Sequence, residues 1–111
     1  MIYKPFSVVT VPFPFTDKAQ TKHRPALVLS HTNHQNETNH MTLLMITSAK
    51  QSSWKSDYTI SDLKSTGLNS PSIIRQKLFT IDSRLVIENI GELSSQDIKN
   101  VKNQLQKHLD L

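Results

Sequence analysis

Arg24 lies between His23 and Pro25 in the stretch KHRPALVLS (22–30), at the mouth of an apolar run. A guanidinium offers five donors in a planar fork matched to phosphate. Pro25 biases Arg24 toward extended backbone, and its missing N–H suits the first position of a strand. No acidic residue stands near enough in sequence to be an obvious partner. Two uses are open to a cation fixed in this way: it can meet a phosphate, or its aliphatic stem can lie over the rim of a small fold.

Other candidates follow. Thr47 and Ser48 come after the apolar run Met41–Ile46; their hydroxyls suit a phosphate oxygen or a turn cap. Arg75 closes Ser72-Ile-Ile-Arg75, with Gln76 and Lys77 behind it. Lys18, Lys22 and His23 make the loop before the second strand basic. Phe13, Phe15 and Trp54 could stack on bases; Phe13 and Phe15 fit a partly buried place better. His31, His34 and His40 sit among Asn, Gln and Thr with no regular element to fix their geometry, so no metal site is expected. The chain has no Gly-rich phosphate loop, no cysteine and no helix-borne carboxylate pair.

Short β-branched and apolar runs must position these groups. Strands are expected at 7–11, 26–29, 41–46, 58–60, 72–75, 77–81 and 86–93. Pro12 and Pro14 limit the first, and Gly91 marks a bulge in the last. Residues 16–23 and 51–57 read as polar loops, and 30–40 as an irregular polar excursion. Residues 62–68 suit a helical turn ended by Gly67. Ser94 and Asp97 match a capping box, with Leu93 and Ile98 as its staple. Ile98, Val101, Leu105 and Leu109 then form one apolar stripe on a helix over 95–109. The reading is a mainly β small barrel closed by a C-terminal α-helix.

The 111 residues predict a single domain spanning 1–111, large enough for one real core. Zero cysteines exclude disulfides and thiolate metal sites, and fit a cytoplasmic setting. A net charge of +4 permits a polyanionic partner without requiring one. No apolar run approaches the ~18 residues of a membrane span, and no secretory leader is expected.

Six stretches occur in order: VPFPFTD (11–17), KHRPALVLS (22–30), MITS (45–48), GLNSPSIIR (67–75), KLFTID (77–82) and IGELS (90–94). Together they resemble the MazF/PemK (Kid) family of toxin–antitoxin ribonucleases, over residues 6 to 110. The resemblance implies an SH3-like barrel of the MazF/CcdB toxin type, acting as a homodimer. It implies metal- and cofactor-independent cleavage of single-stranded RNA to 2′,3′-cyclic phosphate and 5′-hydroxyl ends. It also implies a cognate antitoxin whose acidic, extended segment covers the RNA groove. On this resemblance Arg24 and Thr47 are the catalytic positions. The RNA-binding set is Phe15, Lys18, Lys22, His23, Ser48, Trp54, Arg75 and Lys77.

The sequence also departs from the family. Phe6-Ser7 stands where relatives have Gly-Asp at the start of the first strand. Kid-like members carry an aspartate two residues after the arginine matched by Arg75; here Gln76 and Lys77 follow, so a carboxylate is missing there. The loop 16–23 lacks the glycine common in relatives. These departures motivate an alternative, a degenerate member that binds RNA or antitoxin without cutting. A gyrase inhibitor like CcdB shares the barrel but ends in Trp-Gly-Ile, whereas this chain ends Lys107-His-Leu-Asp-Leu111 and has its one Trp at position 54.

Overall fold

The computed structural model describes residues 2–12, 23–49 and 53–111. Six strands and two helices run β1 (Ser7–Pro12), β2 (His23–Val28), α1 (Thr32–Thr38), β3 (His40–Ser48), β4 (Tyr58–Thr59), β5 (Ser72–Asp82), β6 (Glu88–Glu92) and α2 (Ser95–Leu109). The strands make one antiparallel sheet in the order β4-β5-β3-β2-β1-β6. The expected mainly β fold with a C-terminal helix is the one observed.

Alternation along each strand divides the core between two faces. Val9, Val11, Ala26, Val28, Met41, Leu43, Phe79 and Ile81 pack on one face with Tyr3. Val8, Leu27, Leu44, Ile46 and Ile74 pack on the other, where α2 adds Ile98, Val101 and Leu105. The sheet curls until the 3-10 turn at 64–66 lies against β6. The fit is tight: a Cβ at Gly91 would stand 2.4 Å from the Ser65 carbonyl oxygen, and one at Gly67 would stand 2.1 Å from that of Ile90. Gly67 also needs its φ of 75°. The expected bulge falls beside Gly91: Val8 pairs with Gly91 and Val9 with Asn89, so Ile90 is the extra residue.

Several expectations change. Residues 32–38 form a helix, not an irregular excursion. His31 caps it by accepting the Asn33 N–H through Nδ1 at 3.1 Å. It has no apolar stripe to betray it. Its one buried residue is Gln35, whose side chain bonds the Tyr3 N–H (2.8 Å), the Tyr3 carbonyl (2.6 Å) and the Ser30 carbonyl (3.0 Å). The two expected strands 72–75 and 77–81 are one strand, β5, with an irregularity between them. The last strand starts at Glu88, because Ser83–Leu85 forms a 3-10 turn capped by Asp82.

Only half of the capping box forms. Ser94 Oγ accepts the Asp97 N–H at 3.2 Å, but the Asp97 carboxylate turns to a distant segment. It accepts from Ser61 Oγ (2.7 Å), the Ser61 N–H (3.2 Å), the Asp62 N–H (3.0 Å) and Tyr58 Oη. Burial raises its pKa, but these donors outweigh burial and bring it to about 2. At the far end of α2, Leu109 is 42% exposed and does not join the packed stripe.

Phe6 holds a φ of 68°, the left-handed turn that glycine would take without strain. Two backbone hydrogen bonds hold the turn. The Phe6 N–H donates to the Val28 carbonyl (2.7 Å) and its carbonyl accepts the Leu93 N–H (3.0 Å). Its ring packs beside the α2 core, 5.6 Å from the Lys102 ammonium.

Candidate active site and RNA interface

Strand register, extended past the last β2–β3 pair, aligns Arg24 with Thr47. Arg24 pairs with Val11 on β1. On its other side β2 pairs with β3 through Val28↔Leu43, Leu27↔Leu44 and Ala26↔Met45. The same register, continued two residues beyond the last pair, sets Arg24 across from Thr47. Thr47 in turn pairs with Ile73 on β5. Both side chains are half-buried. Parity puts them on the face of Ala26, Val28 and Leu43, the face α2 does not cover.

Arg75 reaches this face through the irregularity in β5. Leu44 pairs with Leu78, but the next residue, Met45, pairs with Arg75, so Gln76 and Lys77 are extra on β5. An insertion of two preserves the alternation. Arg75 therefore stands opposite Met45, on the same side as Thr47. Gln76 is buried, with Oε1 2.9 Å from His108 Nδ1 of α2. Lys77 is half-buried and Ser48 pairs with Ser72.

Arg75 is only 7% exposed. Its guanidinium is held by Asp57 in a two-bond fork, Nε to Oδ1 at 3.1 Å and Nη2 to Oδ2 at 2.9 Å. It also lies under the Trp54 ring, with Cζ 4.9 Å from the ring centroid. Asp57 and Trp54 close a small turn: the Trp54 N–H donates to Asp57 Oδ2 (2.8 Å), and the Asp57 N–H donates to the Trp54 carbonyl (3.0 Å). Burial pushes the Asp57 carboxyl up. The hydrogen bonds from Arg75 and Trp54, with the Arg75 charge, pull it further down, below the ordinary carboxylate value. Trp54 itself stays 44% exposed.

Asp57 is the residue that sequence reasoning missed. It stands 18 residues from Arg75, and no local pattern links the two. It places a carboxylate beside Arg75 from the loop before β4.

His23 is exposed and opens β2, paired with Pro12. As Arg24's strand neighbour it points to the opposite face. Phe15, Lys18 and Lys22 lie outside the described residues. The structure sets Trp54 against Arg75, and strand parity puts Arg75 on the same face of the sheet as Arg24 and Thr47. His31 and His40 have local roles: the first caps α1, and the second has Nδ1 2.9 Å from the Thr38 carbonyl.

Residues 4–109 match the sequence model of the PemK-like, MazF-like toxins of type II toxin–antitoxin systems. The chain belongs to this family. No curated protein matches its sequence. Among solved structures, MazF from Deinococcus radiodurans superposes with a TM-score of 0.76 at 21% identity, covering 100% of this chain and 99% of that one. The Mycobacterium tuberculosis toxin MazF-mt6 gives 0.75 at 19% identity, covering 95% and 97%. An endoribonuclease from a mycobacterial species, solved with its cognate antitoxin, gives 0.76 at 13% identity, covering 99% and 95%. At these identities the likeness establishes the shared PemK/MazF fold. Among the described residues of this family member, no helix is long and apolar enough to cross a membrane.

Proposed function

We propose that this PemK/MazF toxin is a metal-independent endoribonuclease that cuts single-stranded RNA at short sequences, with Arg24 and Thr47 as its catalytic pair. The observation that carries the reading is the β2–β3 register, which, extended two residues, sets Arg24 across from Thr47 on the face that α2 does not cover. In the proposed reaction the 2′-hydroxyl loses its proton to solvent and its oxygen bonds the adjacent phosphorus, while the P–O5′ bond breaks and the 5′-oxygen takes a proton from solvent. A 2′,3′-cyclic phosphate and a 5′-hydroxyl result. Negative charge grows on the non-bridging oxygens, where fixed donors contribute most. Arg24 supplies a guanidinium there and Thr47 a hydroxyl donor. Holding the ribose in line supplies the entropic part. His23, on the opposite face, is poorly placed to serve as base for this row.

A cognate antitoxin with an acidic, extended segment is the proposed inhibitor. The endoribonuclease solved with its antitoxin is a structural relative that supports this partner. A homodimer in the cytoplasm completes the reading. Light scattering at micromolar concentration should give twice the 12.6 kDa chain mass; a purely monomeric result would remove the dimer.

The decisive experiment is cleavage of single-stranded RNA in chelator, with melts alongside. Arg24→Ala is expected to slow cleavage by about 10²–10³-fold, the loss typical of one such donor. Arg24→Lys should not restore the rate, because an ammonium cannot make the forked contact. Thr47→Val should slow cleavage, and Thr47→Ser should keep much of it. A folded Arg24→Ala protein cutting at the wild-type rate would reject the catalytic assignment. A wild-type protein that binds RNA without cutting would favour the degenerate member.

A further inference from the structure

The half-exposed Trp54 is unusual in how completely one side of its ring is specified. The Arg75 guanidinium occupies that side at 4.9 Å from the centroid. Arg75 is itself fixed, because Asp57 grips it with two hydrogen bonds and both side chains of the pair are 8% exposed. Asp57 also accepts the Trp54 N–H and donates its own N–H to the Trp54 carbonyl. One carboxylate therefore holds both the ring's backbone and the cation beneath it. The next residue, Tyr58, is tied to Asp97 at the start of α2. The turn is thus anchored from outside as well.

This arrangement changes what Arg75 can offer a ligand. Its charge is matched by Asp57 and its fork is engaged, so it is poorly suited to attract a backbone phosphate. It is well suited to keep an aromatic plane in one orientation. We infer that Trp54 is a stacking platform for one unpaired nucleobase beside the Arg24–Thr47 row, and that Asp57, acting through Arg75, is the positioning residue that sets its ring. The inference rests on the single-stranded RNA reading above. A base is the favoured occupant because the platform and the proposed phosphate-binding pair share one side of the sheet. Arg75 stands two residues from Ile73, the partner of Thr47. Stacking on an aromatic is strong and tolerant of base identity, because every base has a π-face. Asp57 touches neither base nor phosphate in this scheme.

Trp54 is the one tryptophan of the chain, so intrinsic fluorescence reports on this ring alone. The probes are 2′-O-methyl homopolymers of A, C and U, which cannot form a cyclic phosphate. Saturable quenching of the emission is expected on binding. Trp54→Ala should weaken binding of fluorescein-labelled probe by about 5- to 100-fold, the range for loss of one stacked base. The log–log salt slope should stay unchanged, because no phosphate contact is removed. Trp54→Phe should recover most of the affinity. Asp57→Asn should shift the free protein's emission and reduce the quenching. Arg75→Lys keeps the charge facing Asp57 but loses the guanidinium over the ring and its two-bond fork, and should reduce quenching even if Asp57→Asn folds poorly.

Labelled probe that binds without quenching Trp54, or a Trp54→Ala protein that binds like wild type, would overturn the platform. Quenching unchanged in folded Asp57→Asn and Arg75→Lys would overturn the positioning role. If RNA is cut normally while Trp54 stays silent, this inference alone falls, and an antitoxin side chain becomes the occupant to examine. If the wild type neither binds the probes nor cuts RNA, both readings fall.

Discussion

Asp57 and Arg75 form a two-bond ion pair, at 3.1 Å and 2.9 Å, between a loop and the fourth residue of β5. Both side chains are 8% exposed, so neither charge has ready access to water. Loss of one partner strands the other. Asp57→Ala should therefore cost about 3–5 kcal/mol in urea melts, and Asp57→Leu combined with Arg75→Met should cost less than that. A single-variant loss under about 1 kcal/mol would mean that water reaches the pair.

Acid should act first through the depressed carboxylates. The folded-state pKa of Asp97 is about 2, against an ordinary value of 3.8. Asp57 is shifted in the same direction. The unfolded chain binds protons more readily at both sites, so their stabilisation is present above about pH 4. It is lost as pH falls through each folded-state value. For Asp97 the stake is on the order of 2 kcal/mol. Asp97→Asn should lower stability at pH 7 and flatten the dependence between pH 4 and 2, measured by denaturant midpoints. An equally steep acid limb in the variant would assign the effect elsewhere.

The sheet and α2 were legible because alternation and the three-four spacing are local signals. Ile98 and Val101 lie where the stripe put them, and Gly91 marks a real bulge. Arg24 and Thr47 were nominated by motif resemblance, and the extended β2–β3 register sets them across from each other. What escaped depends on distant partners. The α1 helix buries a polar residue, Gln35, so hydrophobic periodicity had nothing to register. Asp57 finds Arg75, and Asp97 finds Ser61, Asp62 and Tyr58, across folds of chain that no spacing rule connects. Leu109 shows the opposite failure, since a stripe can outrun the surface available to cover it.

That difference along α2 can be measured. Leu105 is half-buried against the sheet and Leu109 is 42% exposed. Leu105→Ala should cost about 2 kcal/mol, the lower end for such truncations. Leu109→Ala in a monomeric sample should stay within about 0.5 kcal/mol. A large, concentration-dependent loss at Leu109 would place it in a subunit contact.

Phe6 offers a test of strain against packing. Phe6→Ala and Phe6→Gly both remove the ring, but only glycine relaxes the φ of 68°. Phe6→Gly should be the more stable of the two by about 1 kcal/mol in thermal or urea melts. The reverse order would show that the turn carries little strain.

The topology also joins early and late parts of the chain. β1, made early, is hydrogen-bonded on one side to β2 and on the other to β6, residues 88–92. The segment after Asp57 waits for Asp97 to receive Tyr58, Ser61 and Asp62. A chain still in translation that has exposed Arg24, Thr47 and Arg75, but not yet residues 88–97, has β1 unsealed and the Trp54 turn without its outer anchor. Completing the face that carries Arg24 and Thr47 therefore requires contacts from residues 88–97, a non-local pairing of the kind that forms slowly.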